Sequence, residues 1–451
     1  MSNVHILVLF LSWFWVYEFG SARRDITTTQ SLRDQDTLES SNAIFKCGFF
    51  SPINSTYRYV GIWYTKEVAK QLKVVWVANR NNPLSDFSGV LKISGDGNLQ
   101  LLDGKNKSIW SPNISGDNKV NSSVAQLLDS GNLVLSSSGN IIWQSFDHPT
   151  DSMLQNMYMY FDENSTISPL VTSWKSASDP SDGRFTVGIN HRRLYEVFIW
   201  DDVRPYWRSG PWNGQVLMGI RAMYYFAQVD GFSLENDNKG TASISVSSTT
   251  KRLTKYYVLT YDGNLLEKDW QDDKRDWKIE WSSLESECDK YGKCGEFGSC
   301  NPNSLPICSF LRGFEPRNDQ EWSAGNWSSG CVRRTPLQCA NIGGEDDGFS
   351  RLRNVKVPDN AEWLESYDEE DCRRKCLGNC SCLAYAYTLG FGCMIWNESL
   401  IDIQNFAPVG PDIFIRLAHS ELGDFLNVFI PFCFIFYVLL ALINDHFFFP
   451  Y

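Results

Sequence analysis

The sequence predicts a mainly β chain made of tandem hairpin-built lobes, then a small cysteine-stapled module, an α+β domain and a C-terminal apolar run. Three observations carry this reading. The first is an internal repeat: Asp96-Gly97-Asn98-Leu99-Gln100-Leu101 with Trp110, Ser130-Gly131-Asn132-Leu133-Val134-Leu135 with Trp143, and Asp262-Gly263-Asn264-Leu265-Leu266 with Trp270 and Trp277. Each copy joins a Gly-Asn turn to an apolar strand, a polar turn and a trailing Trp. Gly in such a turn supplies the positive φ that tight hairpins need. One hairpin buries too little to stand alone, so copies stack around a shared aromatic core. The second is an abundance of aromatic residues, with 17 Trp and 19 Tyr, which suits β-rich recognition surfaces. The third is the placing of the 13 cysteines: only Cys47 precedes Cys288, and eleven fall between Cys288 and Cys393.

The N-terminus predicts secretion. Residues 4–19 form an apolar run, and Gly20-Ser21-Ala22 offers small residues for cleavage, so 1–22 is expected to be a signal peptide. Eight Asn-x-Ser/Thr sequons follow, at Asn54, Asn106, Asn113, Asn121, Asn164, Asn326, Asn379 and Asn397. Together with clustered cysteines they predict a glycosylated, disulfide-bonded chain in an oxidising compartment. A net charge of −12 over 451 residues excludes the basic footprint of a nucleic-acid binder.

Residues 23–150 read as wholly β, with short aromatic and β-branched strands at 43–50, 57–64 and 73–78. Four phrases here are similar to the bulb-type lectin domain of plant S-domain receptors, the family of S-locus glycoproteins and G-type lectin S-receptor-like kinases. They are Thr29-Gln30-Ser31-Leu32-Arg33-Asp34, Gly48-Phe49-Phe50, Tyr59-Val60-Gly61-Ile62-Trp63-Tyr64 and Val75-Trp76-Val77-Ala78-Asn79-Arg80. The resemblance implies a β-prism of three four-stranded sheets. Residues 151–285 continue it. Trp143-Gln144-Ser145-Phe146-Asp147-His148-Pro149 and Trp174-Lys175-Ser176 match the family's joins, and Arg208-Ser209-Gly210-Pro211-Trp212-Asn213-Gly214 its most diagnostic phrase. The resemblance implies an S-locus glycoprotein domain, a second lectin-like lobe, and strands read independently at 184–189, 194–199 and 254–260. Asp147-His148 reads as a turn rather than a catalytic pair.

Residues 286–335 are too short and loop-rich for a core of their own and need staples. They resemble an epidermal-growth-factor-like module. That resemblance implies Cys288–Cys300 and Cys294–Cys308. It also implies a third bridge to Cys331 from the position of Phe310, which cannot form it. Cys331 is therefore expected to be unpaired, in a loosened module and open to linking chains, whereas Cys47, in an alternating strand, reads as a buried core thiol. Residues 339–418 resemble a PAN/apple domain. Ser366-x-x-Glu369 reads as a capping box and Gly378 as a stop, so 371–376 is expected to be helical, with Cys372 and Cys376 on one face. The family pattern implies Cys372–Cys393, Cys376–Cys382 and then Cys339–Cys380. Disulfides are favoured over a metal site for these cysteines in an oxidising compartment.

Residues 425–443 are nineteen nearly all apolar residues. As a helix they would span about 28 Å, enough to cross a bilayer once, with only 444–451 beyond. Neither a kinase His-Arg-Asp phrase, nor a phosphate loop, nor a Gly-x-Ser-x-Gly elbow occurs. The expectation is a non-enzyme without metal or cofactor, lacking the family's kinase domain. It would be anchored in the plasma membrane or secreted, and would arise as a truncated product of a receptor-kinase gene or as a co-receptor.

Sugar binding is the candidate chemistry. Bulb lectins hold mannose with Gln-x-Asp-x-Asn-x-Val-x-Tyr. The first repeat keeps Asp96 and Asn98, with Gln100 beside them, and the second keeps Asn132 and Val134. With Gln and Tyr lost, the expected role of these residues is to cap turns, the alternative being a mannose-type lectin. The resemblance implies an extracellular protein or peptide ligand, with homodimerisation or pairing to a receptor kinase, and roles in pollen recognition or immune signalling.

Overall fold

The computed structural model describes residues 22–68, 71–114, 122–162, 167–190, 193–226, 230–236, 241–248, 254–338 and 347–423. Six sheets form two lobes of three. The first lobe holds the sheets of Phe45–Phe50, Tyr59–Val68 and Gln71–Val77; of Val90–Ile93, Leu99–Leu102 and Ser108–Trp110; and of Ser123–Leu127, Leu133–Ser137 and Asn140–Gln144. Ala22–Arg23, Asp25–Thr27 and Ser31–Arg33 contribute one edge strand to each, and Thr37–Glu39 lies between Ala22–Arg23 and Phe45–Phe50 in the first. Predicted strand 43–50 begins only at Phe45, because Ala43 sits in a turn at φ 56°.

The repeat explains the geometry. Val90–Ile93 and Leu99–Leu102 pair antiparallel across a turn in which Ser94 N donates to Asn98 O at 2.8 Å and Gly97 N to Ser94 O at 2.9 Å. The same two bonds recur at Leu128/Asn132 and Gly131/Leu128, and at Thr260/Asn264 and Gly263/Thr260. Gly97, Gly131 and Gly263 have φ of 82°, 87° and 86°, a region that only Gly enters cheaply. Gly131 and Gly263 serve a second purpose, since a Cβ there would strike Phe45 and Phe185. The trailing Trp residues converge. Trp76, Trp110 and Trp143, one per sheet, have ring centroids 5.8–6.0 Å apart and close the middle of the lobe. Aromatic pairs at this spacing add roughly 0.5–1.5 kcal/mol each beyond burial.

The second lobe repeats the plan. One sheet holds Lys255–Leu259, Leu265–Gln271 and Asp276–Ser282. The second holds Tyr158–Asp162, Thr241–Ser248 and Asp230–Asn236. The third holds Ile167–Ser176, Asp179–Asn190, Glu196–Asp201 and Arg204–Pro211. The lobes share one core: Tyr64 of the first packs on Tyr256 and Trp277 of the second, with centroids 5.4 and 4.7 Å apart. Arg80 crosses the seam and donates to the carbonyls of Pro180, at 2.7 Å, and Ser173, at 2.8 Å.

The cysteine-rich module and the last domain are joined by a mixed sheet in which Gly298–Cys300 runs parallel to Ile403–Asn405. A five-stranded sheet follows, from Gly348–Leu352, Ile413–Leu417, Ala384–Thr388, Gly392–Trp396 and Glu362–Leu364, with the helix Glu369–Gly378 against it. The helix is capped by Asp368, not Ser366: Asp368 Oδ1 accepts from Asp371 N at 2.8 Å, while Ser366 Oγ donates to the Asp368 carbonyl. Starting two residues later puts Glu369, Glu370 and Asp371 in the first turn, where carboxylates favour the helix dipole. At the other end Arg416, 2% exposed, donates to the carbonyls of Asn379 and Cys376 and pairs with Asp347 at 3.0 Å. Bridges Cys372–Cys393 and Cys376–Cys382 pin the helix to the strands. Cys380 is disulfide-bonded, and Cys339 lies outside the described residues. The apolar stretch 425–443 and residues 1–21, all but the last residue of the expected signal peptide, also lie outside them; among the described residues no helix is long and apolar enough to cross a membrane.

Candidate functional site

The remnant sugar pattern sits on the Gly-Asn turns. Asp96 is exposed and accepts from the Ser94 hydroxyl and from the Asn98 backbone N at 3.2 Å, bonds that hold its carboxyl below the usual range. Asn98 faces inward. Its Oδ1 accepts from Ile114 N at 2.9 Å and its Nδ2 donates to Ile114 O at 3.3 Å. Gln100 is half-buried beside Lys92. Asn132 is 6% exposed, and all its bonds are internal: Oδ1 accepts from Ser145 Oγ at 3.1 Å and Phe146 N at 3.2 Å, and Nδ2 donates to Gln144 at 2.9 Å. Val134 is buried within its sheet. In the third copy, Asn264 Oδ1 accepts from Ser282 Oγ, Ser283 Oγ and Leu284 N. Each repeat Asn therefore clamps the chain that returns after the trailing Trp. Asn suits the task because one planar amide both donates and accepts.

His148 stacks on Trp143, with centroids 5.7 Å apart, and its carbonyl accepts from Trp76 Nε1 at 2.8 Å, so His148 holds the tryptophan triad, while Asp147 accepts from Gln144 Nε2 at 2.9 Å. Among the sequons, Asn54, Asn106, Asn113, Asn326 and Asn379 are exposed, and the first three occupy positive-φ turn positions. Asn397 is half-buried, with its amide on Glu362 at 2.8 Å and on Asn379 at 3.4 Å. Asn121 and Asn164 lie outside the described residues.

Sequence reasoning missed the most elaborate polar cluster. Arg208, fully buried in the strand Arg204–Pro211, donates to Glu196 Oε2 at 3.0 Å, Asp402 Oδ2 at 3.1 Å and Val357 O at 2.6 Å. Lys356 Nζ lies 2.9 Å from the same Asp402 oxygen, and Gly292 N donates to the other Asp402 oxygen at 3.1 Å. Burial alone would lower the Arg208 pKa, but the carboxylates of Glu196 and Asp402 outweigh it and hold the guanidinium charged. Through Asp402, which also accepts from Gly292 N, the Arg208 cluster ties the second lobe, the cysteine-rich module and the last domain together. The signal was a charged residue directly after the aromatic pair Tyr206-Trp207.

In the cysteine-rich module the bridges are Cys288–Cys300 and Cys294–Cys308. The closeness of the Cys294, Cys300 and Cys308 sulfurs reflects these adjacent bridges, since oxidised sulfurs do not ligate as thiolates. Cys47 and Cys331 are both free and fully buried. This corrects the expectation of a reactive Cys331. Its backbone N donates to Glu296 O at 2.7 Å, its strand pairs with Phe314–Pro316, and Phe310 leans on Trp322 instead of bridging to it. Burial pushes the Cys331 thiol up to about 11 against an opposing Arg317, and the Cys47 thiol up to about 12. The thiolate is the nucleophile, so neither should react at neutral pH. Brief alkylation of native protein is expected to label neither residue, and alkylation in denaturant to label both; native labelling of Cys331 would show that the module opens.

Residues 73–175 match the D-mannose binding lectin family, 207–318 the S-locus glycoprotein domain and 339–403 the PAN-like domain. Three recognised domains thus follow one another along the chain, the first of lectin type. The chain is homologous to the plant S-domain receptors. It is 44% identical over 431 residues to a G-type lectin S-receptor-like serine/threonine-protein kinase of Arabidopsis thaliana, covering 93% of this chain and 52% of that protein. It is 40% identical over 413 residues to the kinase SD1-13 of the same plant, covering 89% and 49%. The chain thus spans about half the length of these relatives. Among solved structures, a monomeric mannose-binding lectin of Gastrodia elata is 18% identical with a TM-score of 0.21, over 27% of this chain and 96% of that one. A two-domain lectin of Scilla campanulata is 12% identical with a TM-score of 0.20, over 58% and 89%.

Proposed function

We propose that this chain is the extracellular recognition part of an S-domain receptor, binding a protein or peptide ligand and assembling with a second copy or with a receptor kinase. The observation that carries it is that Asn98 and Asn132, which match the sugar-binding pattern in residue type, are committed to the fold. A sugar at the turns would meet the exposed Asp96 and the half-buried Gln100, too few for the convergent polar groups of a specific site. The homology to receptor kinases and the fusion of four domains through shared cores and Arg208 favour a rigid platform for a macromolecular partner. On this reading the chain lies outside the cell, held by residues 425–443 or secreted, and takes part in pollen recognition or immune signalling as the relatives' family does.

Light scattering of the purified ectodomain is expected to show a rise in mass when a cognate cysteine-rich peptide is added, while a glycan array stays blank. A strict monomer with every peptide, together with mannose binding lost on Asp96→Ala, would replace this reading with that of a mannose-type lectin.

A further inference from the structure

Five ionisable side chains are shut into the junction around Arg208. Arg208 and Lys356 are 0% and 1% exposed, and Glu196, Asp402 and Asp359 are 4%, 6% and 9% exposed. Among the described residues this sets two cations against three carboxylates, so one negative charge is left over in a buried place. Such a charge is costly, and taking up one proton is the simplest relief. The hydrogen bonds decide which carboxylate takes it. Asp402 meets two cations and a backbone donor, namely Arg208 Nε, Lys356 Nζ and Gly292 N. Asp359 accepts from the Tyr291 hydroxyl and from Asn360 N, both at 2.6 Å. Glu196 is the least served: among the described residues its carboxylate meets one donor, Arg208 Nη1 at 3.0 Å.

The surroundings of Glu196 agree. In its own sheet it pairs with Asn190 and Pro211, which do not titrate, and it faces Arg208. The last domain presents Lys356 and Asp359, with Asp402 on the shared guanidinium. The cysteine-rich module presents Tyr291, whose proton is held by burial and by Asp359. Burial pushes the Glu196 carboxyl up to about 7; Arg208 opposes this and Asp359 adds to it. We propose that Glu196 is a proton-operated lock between the second lobe and the last domain: its neutral form balances the buried charges and closes the junction, and its ionised form loosens it. The folded chain keeps this proton until pH rises through about 7, whereas the unfolded chain releases it at the ordinary 4.5. Unfolding inside that window sets a proton free. Stability is therefore greatest on the acid side, falls as pH rises through the window, and falls no further above it.

Urea melts of the whole ectodomain and of Glu196→Gln, at pH values inside and on both sides of this window, would test the lock. Glutamine still accepts from Arg208 and leaves two cations facing two carboxylates, so it stands in for the protonated acid. The unfolding constant of the parent, divided by that of Glu196→Gln, is expected to rise about tenfold per pH unit within the window and to stay level outside it. The ratio cancels other buried carboxyls, among them Asp151 at the seam of the lobes, which burial pushes up to about 6. A ratio that does not change with pH would make Glu196 a plain structural link and overturn the proposal. Hydrogen exchange locates the effect. Protection of Gly292 N, which donates to Asp402, and of Asp359 N, which donates to Ile401 O at 3.0 Å, should fall with rising pH in the parent and hold steady in Glu196→Gln. If Glu196→Gln fails to fold, the parent alone decides: protection at these two amides that is constant across the window would equally overturn the lock.

Discussion

Arg208→Met is expected to lower the stability of the ectodomain by about 3–5 kcal/mol and to split its unfolding into two transitions. The size follows from what is left behind. Glu196 and Asp402, 4% and 6% exposed, would lose their shared cation, and Val357 O would lose its donor. An uncompensated buried carboxylate is far more costly than a buried ion pair, whose own net contribution is small. Lys356 remains 2.9 Å from Asp402 and rescues that carboxylate only, since it shows no bond to Glu196. Arg208→Lys should fare little better, because an ammonium cannot reach three acceptors held by a planar fork. The second transition follows from topology. Arg208 bonds across 149 and 194 residues to the last domain, so its loss frees the lobes to unfold apart from the C-terminal half. Urea melts followed separately by tryptophan fluorescence and by hydrogen exchange would read both effects. Adding Glu196→Gln to Arg208→Met should recover part of the loss, as partners in one network do not add. A single transition with an unchanged midpoint in Arg208→Met would show that the phrase around it serves something other than cohesion.

The strands were legible because their signals are local. Gly97, Gly131 and Gly263 mark turns by backbone geometry alone, and the apolar alternation after each sets which face is buried. What lies far apart in the chain was not legible. The partner of Asn98 is 16 residues on, and that of Asn132 up to 14, so the same Asn reads equally well as a sugar ligand or as a clamp until the returning strand is placed. The Arg208 network spans three domains, and no spacing within one of them announces it. The helix cap shows a subtler failure. Ser366 and Glu369 match the capping pattern, but Asp368 offers a better acceptor and a more acidic first turn, and the local energies of these two starts differ too little for the sequence to choose. Cys331 misled because an unpaired cysteine in a disulfide module suggests exposure, whereas Leu311, Phe314 and Phe297 enclose it in an apolar core.

Asn132→Ala is expected to destabilise the first lobe by about 2–4 kcal/mol, while Asn98→Ala costs about 1 kcal/mol. Both remove the same clamp, so burial decides the difference. At Asn132 the loss strands Phe146 N, Ser145 Oγ and Gln144 Oε1 beside a residue only 6% exposed. Leu133 N still donates to Ser145 Oγ at 2.9 Å, which limits the damage. At Asn98, half-buried, water can take over the bonds to Ile114. The loosened segment 145–148 carries His148, which stacks on Trp143 and accepts from Trp76, so the tryptophan triad should lose order together with the turn. Near-ultraviolet circular dichroism would follow the triad, and a denaturant melt would give the free energy. The sugar reading requires the opposite pattern. There, both substitutions would leave the midpoint unmoved and abolish mannose binding, because a ligand-facing amide contributes nothing to the empty protein. An Asn132→Ala protein as stable as the parent would therefore return that side chain to the list of sugar contacts and remove the main support for a protein or peptide ligand.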